Sequence, residues 1–124
     1  MKGKILVIDD DRVTLTMLEM VLSRHGYQVL NAKDGAEGWA KASKEKPDVV
    51  ISDMLIPKIH GLELCAKIKK DPELKKTKVI LMTAVYKRAS FHLEAKDSGA
   101  DYFIEKPIDT NGLLEKLEKS LTSP

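Results

Sequence analysis

Residues 5–11 read Ile5-Leu6-Val7-Ile8-Asp9-Asp10-Asp11. Four consecutive aliphatic residues with no alternation are how a strand covered on both faces reads. The abrupt change to three acids marks where that strand ends. The same signature recurs along the chain, in Val49-Val50-Ile51, Val79-Ile80-Leu81-Met82 and Tyr102-Phe103-Ile104. Tyr27-Gln28-Val29-Leu30 is weaker and admits a polar residue, as an edge strand does. Amphipathic stretches separate these runs. Met17, Leu18, Val21 and Leu22 share a face within 11–25, and Ala36, Trp39, Ala40 and Ser43 within 36–45. Leu64, Cys65 and Ile68 do so within 61–70, Phe91 and Ala95 within 87–98, and Leu113, Leu114, Leu117 and Leu121 within 110–121. Turn signals such as His25-Gly26, Asp34-Gly35, Pro47-Asp48, Asp71-Pro72 and Ser98-Gly99 fall between the elements. A strand–helix unit repeated five times predicts an α/β fold, a doubly wound parallel sheet with right-handed crossovers.

Composition narrows the function. The chain has 124 residues, 43% apolar and 32% charged, which suits one soluble globular domain. Its 21 basic and 19 acidic residues leave a net charge of +2, which argues against nucleic acid as a direct partner. No apolar run reaches the roughly 18 residues of a membrane span. The opening Met1-Lys2-Gly3-Lys4 runs almost directly into the first strand and leaves no room for a signal peptide. A single cysteine, Cys65, forms neither an internal disulfide nor a zinc site. Together these features lead us to expect a cytoplasmic protein. With aromatics at 5%, the core must be aliphatic.

Five-stranded sheets of this kind commonly take the order 2-1-3-4-5, with the functional crevice at the carboxyl ends of strands 1 and 3. The residues just past the strand ends are therefore the ones to inspect: Asp9, Asp10 and Asp11, then Ser52 and Asp53, Thr83 and Ala84, and Glu105 and Lys106. Carboxylates converging in one crevice cannot all ionise without compensation. A divalent cation is the usual remedy, and hard oxygen donors favour Mg²⁺, with Mn²⁺ as the alternative, over Zn²⁺. Lys106 adds a positive charge and Thr83 a hydroxyl. Acids, metal, lysine and hydroxyl suit a phosphoryl group, and a carboxylate can itself be the nucleophile. Taken singly, each residue has a plainer use: Asp10 or Asp11 as a helix cap, Asp53 as a turn residue, Lys106 as a solvated loop lysine. Their common placement at strand ends carries the functional reading.

The whole chain resembles a response-regulator receiver domain. The resemblance rests on Asp9-Asp10 after a strand, on Val49-Val50-Ile51-Ser52-Asp53-Met54-Leu55-Ile56-Pro57, on Leu81-Met82-Thr83-Ala84 and on Lys106-Pro107. It implies a flavodoxin-like fold and a single receiver domain over residues 1–124. It also implies a two-component signalling switch rather than an enzyme, promoting only its own phosphorylation and dephosphorylation. Asp53 would be the phosphoacceptor. Asp10 and Asp53 would bind Mg²⁺ directly, Asp9 mainly through water, and the Leu55 backbone carbonyl would be a further ligand. Thr83 and Lys106 would hold phosphoryl oxygens, Phe103 would be the switch aromatic, and the Lys106–Pro107 bond would be cis. The donor would be a phosphohistidine on a sensor histidine kinase or a histidine phosphotransfer protein. A homodimer or an effector would use the face built from the 87–98 helix, the fifth strand and the last helix. The side chains two past the acceptor and two past the threonine, Leu55 and Val85, are apolar and would hold no attacking water, which implies a long-lived aspartyl phosphate.

Three departures and one rival reading accompany the resemblance. Ile59-His60-Gly61 lacks the acid that commonly precedes this glycine, which puts the cap of the third helix in doubt. The interval from Thr83 to Lys106 is slightly longer than usual. Phe103 has no hydroxyl. Asp9-Asp10-Asp11-Arg12-Val13 also fits the first motif of haloacid-dehalogenase-type phosphatases, with Asp9 as nucleophile, but that reading leaves Asp53 without a role. Elsewhere, Val13, Met17 and Met20 form a second ridge on the first helix, expected to dock the kinase. Lys67, Lys69, Lys70, Lys75, Lys76 and Lys78 read as a solvated helix face, Cys65 as a small core residue and Trp39 as packing. His25, His60 and His92 show no metal-binding spacing.

Overall fold

The computed structural model describes residues 2–56, 58–84 and 99–122. In chain order the elements are β1 (Lys4–Ile8), α1 (Arg12–Arg24), β2 (Gln28–Ala32), α2 (Gly35–Glu45), β3 (Val49–Asp53), α3 (Gly61–Lys70), β4 (Lys78–Ala84), β5 (Tyr102–Lys106) and a C-terminal helix (Thr110–Thr122). The strands form one parallel sheet in the order β2-β1-β3-β4-β5, as the alternating pattern predicts. The expected helix over 87–98 lies outside the described residues, as do Val85 and His92.

Alternation along each strand sends successive side chains to opposite faces, and two cores result. Leu6, Ile8, Val50, Val79 and Leu81 pack with Leu64, Cys65 and Ile68 of α3 and Ala42 of α2. Ile5, Val7, Val49, Ile51, Ile80 and Met82 pack with Leu18 and Leu22 of α1 and with Leu113 and Leu117 of the C-terminal helix. This double coverage is why the central strands read as unbroken apolar runs. Each large aliphatic side chain removed from water contributes about 1.5–3 kcal/mol. The edge strand β5 is half-buried along its length despite its apolar run.

The helix starts follow from short polar side chains. Asp11 caps α1, accepting from the Val13 N–H at 3.2 Å and the Thr14 hydroxyl at 2.7 Å. Asp34 caps α2 through the Glu37 N–H at 2.8 Å, and Glu37 reaches back to the Lys33 N–H at 2.8 Å. His60 stands at the start of α3 without a side-chain cap bond, the weak cap that the missing acid suggests. His25 closes α1, its Nδ1 at 2.9 Å from the Val21 carbonyl oxygen.

Candidate functional site

Parallel pairing sets the ends of β1, β3, β4 and β5 along one edge. Ile8 pairs with Ser52, Asp53 with Met82, Thr83 with Glu105 and Ala84 with Lys106. The residues that follow β1 and end β3 therefore face each other across the centre of that edge. Carboxylate oxygens of Asp9, Asp10 and Asp53 all lie within 4.8 Å of one another. Asp10 is exposed and turned into this group, whereas Asp11 is taken up as the cap of α1. The structure thus divides between these two acids the roles that the sequence leaves open.

Lys106 closes the cluster from β5. Its ammonium donates to Asp53 Oδ2 at 2.7 Å and to Asp9 Oδ2 at 2.9 Å. The Asp9 side chain is fully buried and that of Asp53 is 15% exposed. Asp9 Oδ1 accepts from the Asp11 N–H at 2.9 Å, and Asp53 Oδ1 from the Leu55 N–H at 3.0 Å. Burial pushes the Asp9 carboxyl above its ordinary range, and its bonds to Lys106 and the Asp11 N–H offset only part of that. Burial alone would lower Lys106. Its bonds to Asp53 and Asp9 outweigh that penalty and hold the ammonium above its usual value. The lysine is therefore the fixed positive charge of the site.

Thr83 is buried on β4 beside Lys106. Phe103 pairs with Leu81 and is half-buried against the α2–α3 core. Leu55 is exposed next to the acceptor. The Lys106–Pro107 bond is cis, as the resemblance implies.

The loop after Asp53 is held more tightly than the sequence suggests. A Cβ on Gly61 would collide with the Asp53 carbonyl oxygen and sit 2.8 Å from Met54 Cα. One on Gly35 would collide with the Ile59 carbonyl oxygen. The N-termini of α3 and α2 therefore clamp the loop from two sides, and Lys58 reaches Asp34 at 3.5 Å. Gly35 and Gly61 read as turn residues in the sequence, and only the packing shows what their missing side chains admit.

A doubly wound sheet that gathers three carboxylates, a lysine and a threonine at the carboxyl ends of its strands suits the chemistry of a phosphoryl group. The family model for the response regulator receiver domain matches residues 5–118. The chain belongs to that family and is a receiver domain of the two-component response-regulator type. It is 34% identical to protein PilH of Pseudomonas aeruginosa, over 96% of this chain and 98% of that protein. It is 35% identical to the response regulator PleD of Caulobacter vibrioides, over 98% of this chain but only 26% of PleD. The chain therefore spans about a quarter of one relative and nearly all of another. Among solved structures, the chemotaxis response regulator CheY4 of Vibrio cholerae superposes with a TM-score of 0.87 at 30% identity, over 95% of this chain and 98% of that one. No helix among the described residues is long and apolar enough to cross a membrane.

Proposed function

We propose that this domain is a phosphorylation-driven switch in which Asp53 accepts a phosphoryl group from a phosphohistidine on a sensor histidine kinase or a histidine phosphotransfer protein. The observation that carries this reading is the Lys106 ammonium bridging Asp9 and Asp53 at the end of the central strands. In the transfer, an Asp53 carboxylate oxygen forms a bond to phosphorus as the P–N bond breaks and its electron pair returns to the imidazole. Lys106 already sits on Asp53 and is placed to follow the negative charge onto the phosphoryl oxygens. Thr83 is the hydroxyl donor for a second oxygen. Asp9, buried and bonded to both Lys106 and the Asp11 N–H, holds the lysine in place. Its complete burial, against 15% exposure for the Asp53 side chain, also disfavours Asp9 as a phosphatase nucleophile.

The donor set fits a hard divalent cation, Mg²⁺ or Mn²⁺. Asp10 and Asp53 would hold it directly, Asp9 mainly through water, with the Leu55 carbonyl as a further ligand. Bound there, the ion would supply positive charge against the phosphoryl oxygens. The exposed Val13 and Met20 and the neighbouring Met17 of α1 line a shallow apolar groove of about 390 Å³. This is the surface we assign to the kinase, in the cytoplasm. Phe103 would turn inward once Thr83 moves toward the phosphoryl group. That change would alter the face of β5 and the C-terminal helix for a second copy or an effector. In this reading the domain promotes only its own phosphorylation and dephosphorylation.

Incubation with a radiolabelled small acyl phosphate and Mg²⁺ should place acid-stable, base-labile label on Asp53, and Asp53→Asn should take up none. Turnover of added phosphoesters without label on Asp53 would instead establish a phosphatase.

A further inference from the structure

A hollow of about 730 Å³ lies at the opposite edge of the sheet from the acidic site. Its lining comes from the starting ends of strands and the finishing ends of helices. Asp48 precedes β3, Lys78 opens β4, Asp101 precedes β5, and Lys46 and Lys69 end α2 and α3. Lys75 and Lys76, on the turn before β4, complete it.

Five lysines face three carboxylates there, a surplus of two positive charges that equals the net charge of the whole chain. The rest of the molecule is balanced, and the surplus is local. Most of the wall has an internal use. Lys69 donates to the Thr77 carbonyl at 2.8 Å and to Asp101 at 2.7 Å. Lys46 pairs with Glu73 at 2.9 Å, and Lys78 lies 4.0 Å from Asp101. Asp48 accepts from the Lys4 N–H at 2.8 Å. Lys75 and Lys76 have no such use: both are exposed and form no ion pair among the described residues.

The backbone beneath them is nonetheless fixed. Leu74 on one side is buried in the core, and Thr77 on the other is buried with its hydroxyl bonded to the Pro47 carbonyl at 2.9 Å. The Lys75 N–H donates to the Asp71 carbonyl at 2.9 Å. The backbone that carries two neighbouring lysines is thus fixed at the rim of a concave hollow within the size range of small-molecule sites, about 300–1,000 Å³. The sequence reads these lysines as a solvated helix face. The fold instead sets them beside Lys46, some thirty positions earlier in the chain.

We propose that this hollow is a binding site for a small polyanion carrying two or more phosphate groups. Lysines act on phosphate as compact point charges and need no fixed fork. Among the described residues no aromatic side chain lines the hollow, so recognition there rests on the phosphate chain rather than on a nucleobase. Concavity favours a small ligand over an extended acidic peptide.

The test is a ¹⁵N NMR titration of the whole chain in metal-free, low-salt buffer with inorganic triphosphate, and in parallel with ATP and with hexaglutamate. Saturable shifts at the amides of Lys46 and Lys75 to Lys78 are expected, with ATP binding no tighter than triphosphate and both weakening as salt rises. The Lys75→Ala/Lys76→Ala variant should keep its melting temperature and lose roughly 2- to 30-fold in affinity, as two exposed ion pairs allow. Lys33→Ala/Lys119→Ala, which removes the same charge elsewhere, should titrate like the parent. Shifts centred on Lys106 and Asp53, equal loss in the two double variants, or binding of hexaglutamate but not triphosphate would overturn the proposal.

Discussion

Lys106→Met removes the ammonium that the buried Asp9 and the partly buried Asp53 share while keeping most of the aliphatic stem. Deleting one partner of a fully buried ion pair costs about 3–5 kcal/mol, because the remaining charge is left uncompensated. Here the Lys106 side chain is 28% exposed, Asp53 is 15% exposed and Asp9 is fully buried. Water therefore screens part of the loss, and about 2–4 kcal/mol is expected without divalent cations. Urea unfolding in EDTA, followed by circular dichroism, should show a midpoint lowered by about 1–2 M at an ordinary slope for a domain of this size. Saturating Mg²⁺ brings its own positive charge to the same carboxylates, so the cost should shrink to about 1 kcal/mol or less. Asp53→Asn supplies an internal control. With one carboxylate neutral, Lys106→Met should cost about 1–2 kcal/mol less than in the parent background, a coupling that a double-mutant cycle reads directly. If the loss were equal in EDTA and Mg²⁺, and uncoupled from Asp53, the lysine would not be the counter-charge of the cluster.

Further perturbations address the frame around the site. Asp101 Oδ2 accepts from Lys69 at 2.7 Å and from the buried Val79 N–H at 2.8 Å. Asp101→Ala should therefore cost about 2–4 kcal/mol in urea unfolding, and Asp101→Asn, which keeps an acceptor for Val79, clearly less. Gly61→Ala drives a Cβ into the Asp53 backbone, which has no side-chain freedom to yield; a loss of about 1–3 kcal/mol should accompany slower labelling of Asp53 by the acyl phosphate. The Asp34 carboxyl lies below its ordinary range, first because of its bond from the Glu37 N–H, so its stabilisation is complete above the ordinary carboxylate range near pH 4. It fades as pH falls toward the lower folded value. Asp34→Asn should flatten that acid limb of a stability–pH curve while leaving its shape above pH 6 unchanged. Leu55, 42% exposed beside the acceptor, has no group to hold an attacking water. Leu55→Asn should hasten loss of the Asp53 phosphoryl group about 5- to 30-fold, the worth of one orienting interaction, as read by decay of label without kinase.

Local chemistry makes the fold legible in the sequence itself. Unbroken runs such as Ile5–Ile8 and Val49–Ile51 suit strands with both faces covered, and the weaker Tyr27–Leu30 run marks the edge that β2 occupies. Parallel strands joined by helices leave few orders open, and the rule that ligands gather at carboxyl ends then directs attention to 9–11, 52–53, 83–84 and 105–106, among which the resemblance picks Asp9, Asp10, Asp53, Thr83 and Lys106. What sequence periodicity cannot encode is contact between residues far apart in the chain. Lys106 meets Asp9 across 97 positions and Asp53 across 53, and which oxygens it takes depends on how β5 seats against β4. Asp10 and Asp11 are equivalent letters in the sequence. Only the start of α1 makes one a cap and leaves the other facing the crevice. Gly35 and Gly61 signal turns locally, yet they matter because two helix ends press on the acceptor loop. The lysines of 67–78 likewise look like one solvated face, because the fold alone decides that Lys75 and Lys76 share a hollow with Lys46. Burial is a property of the packed chain, so the charge balance at both edges of the sheet is settled only by tertiary structure.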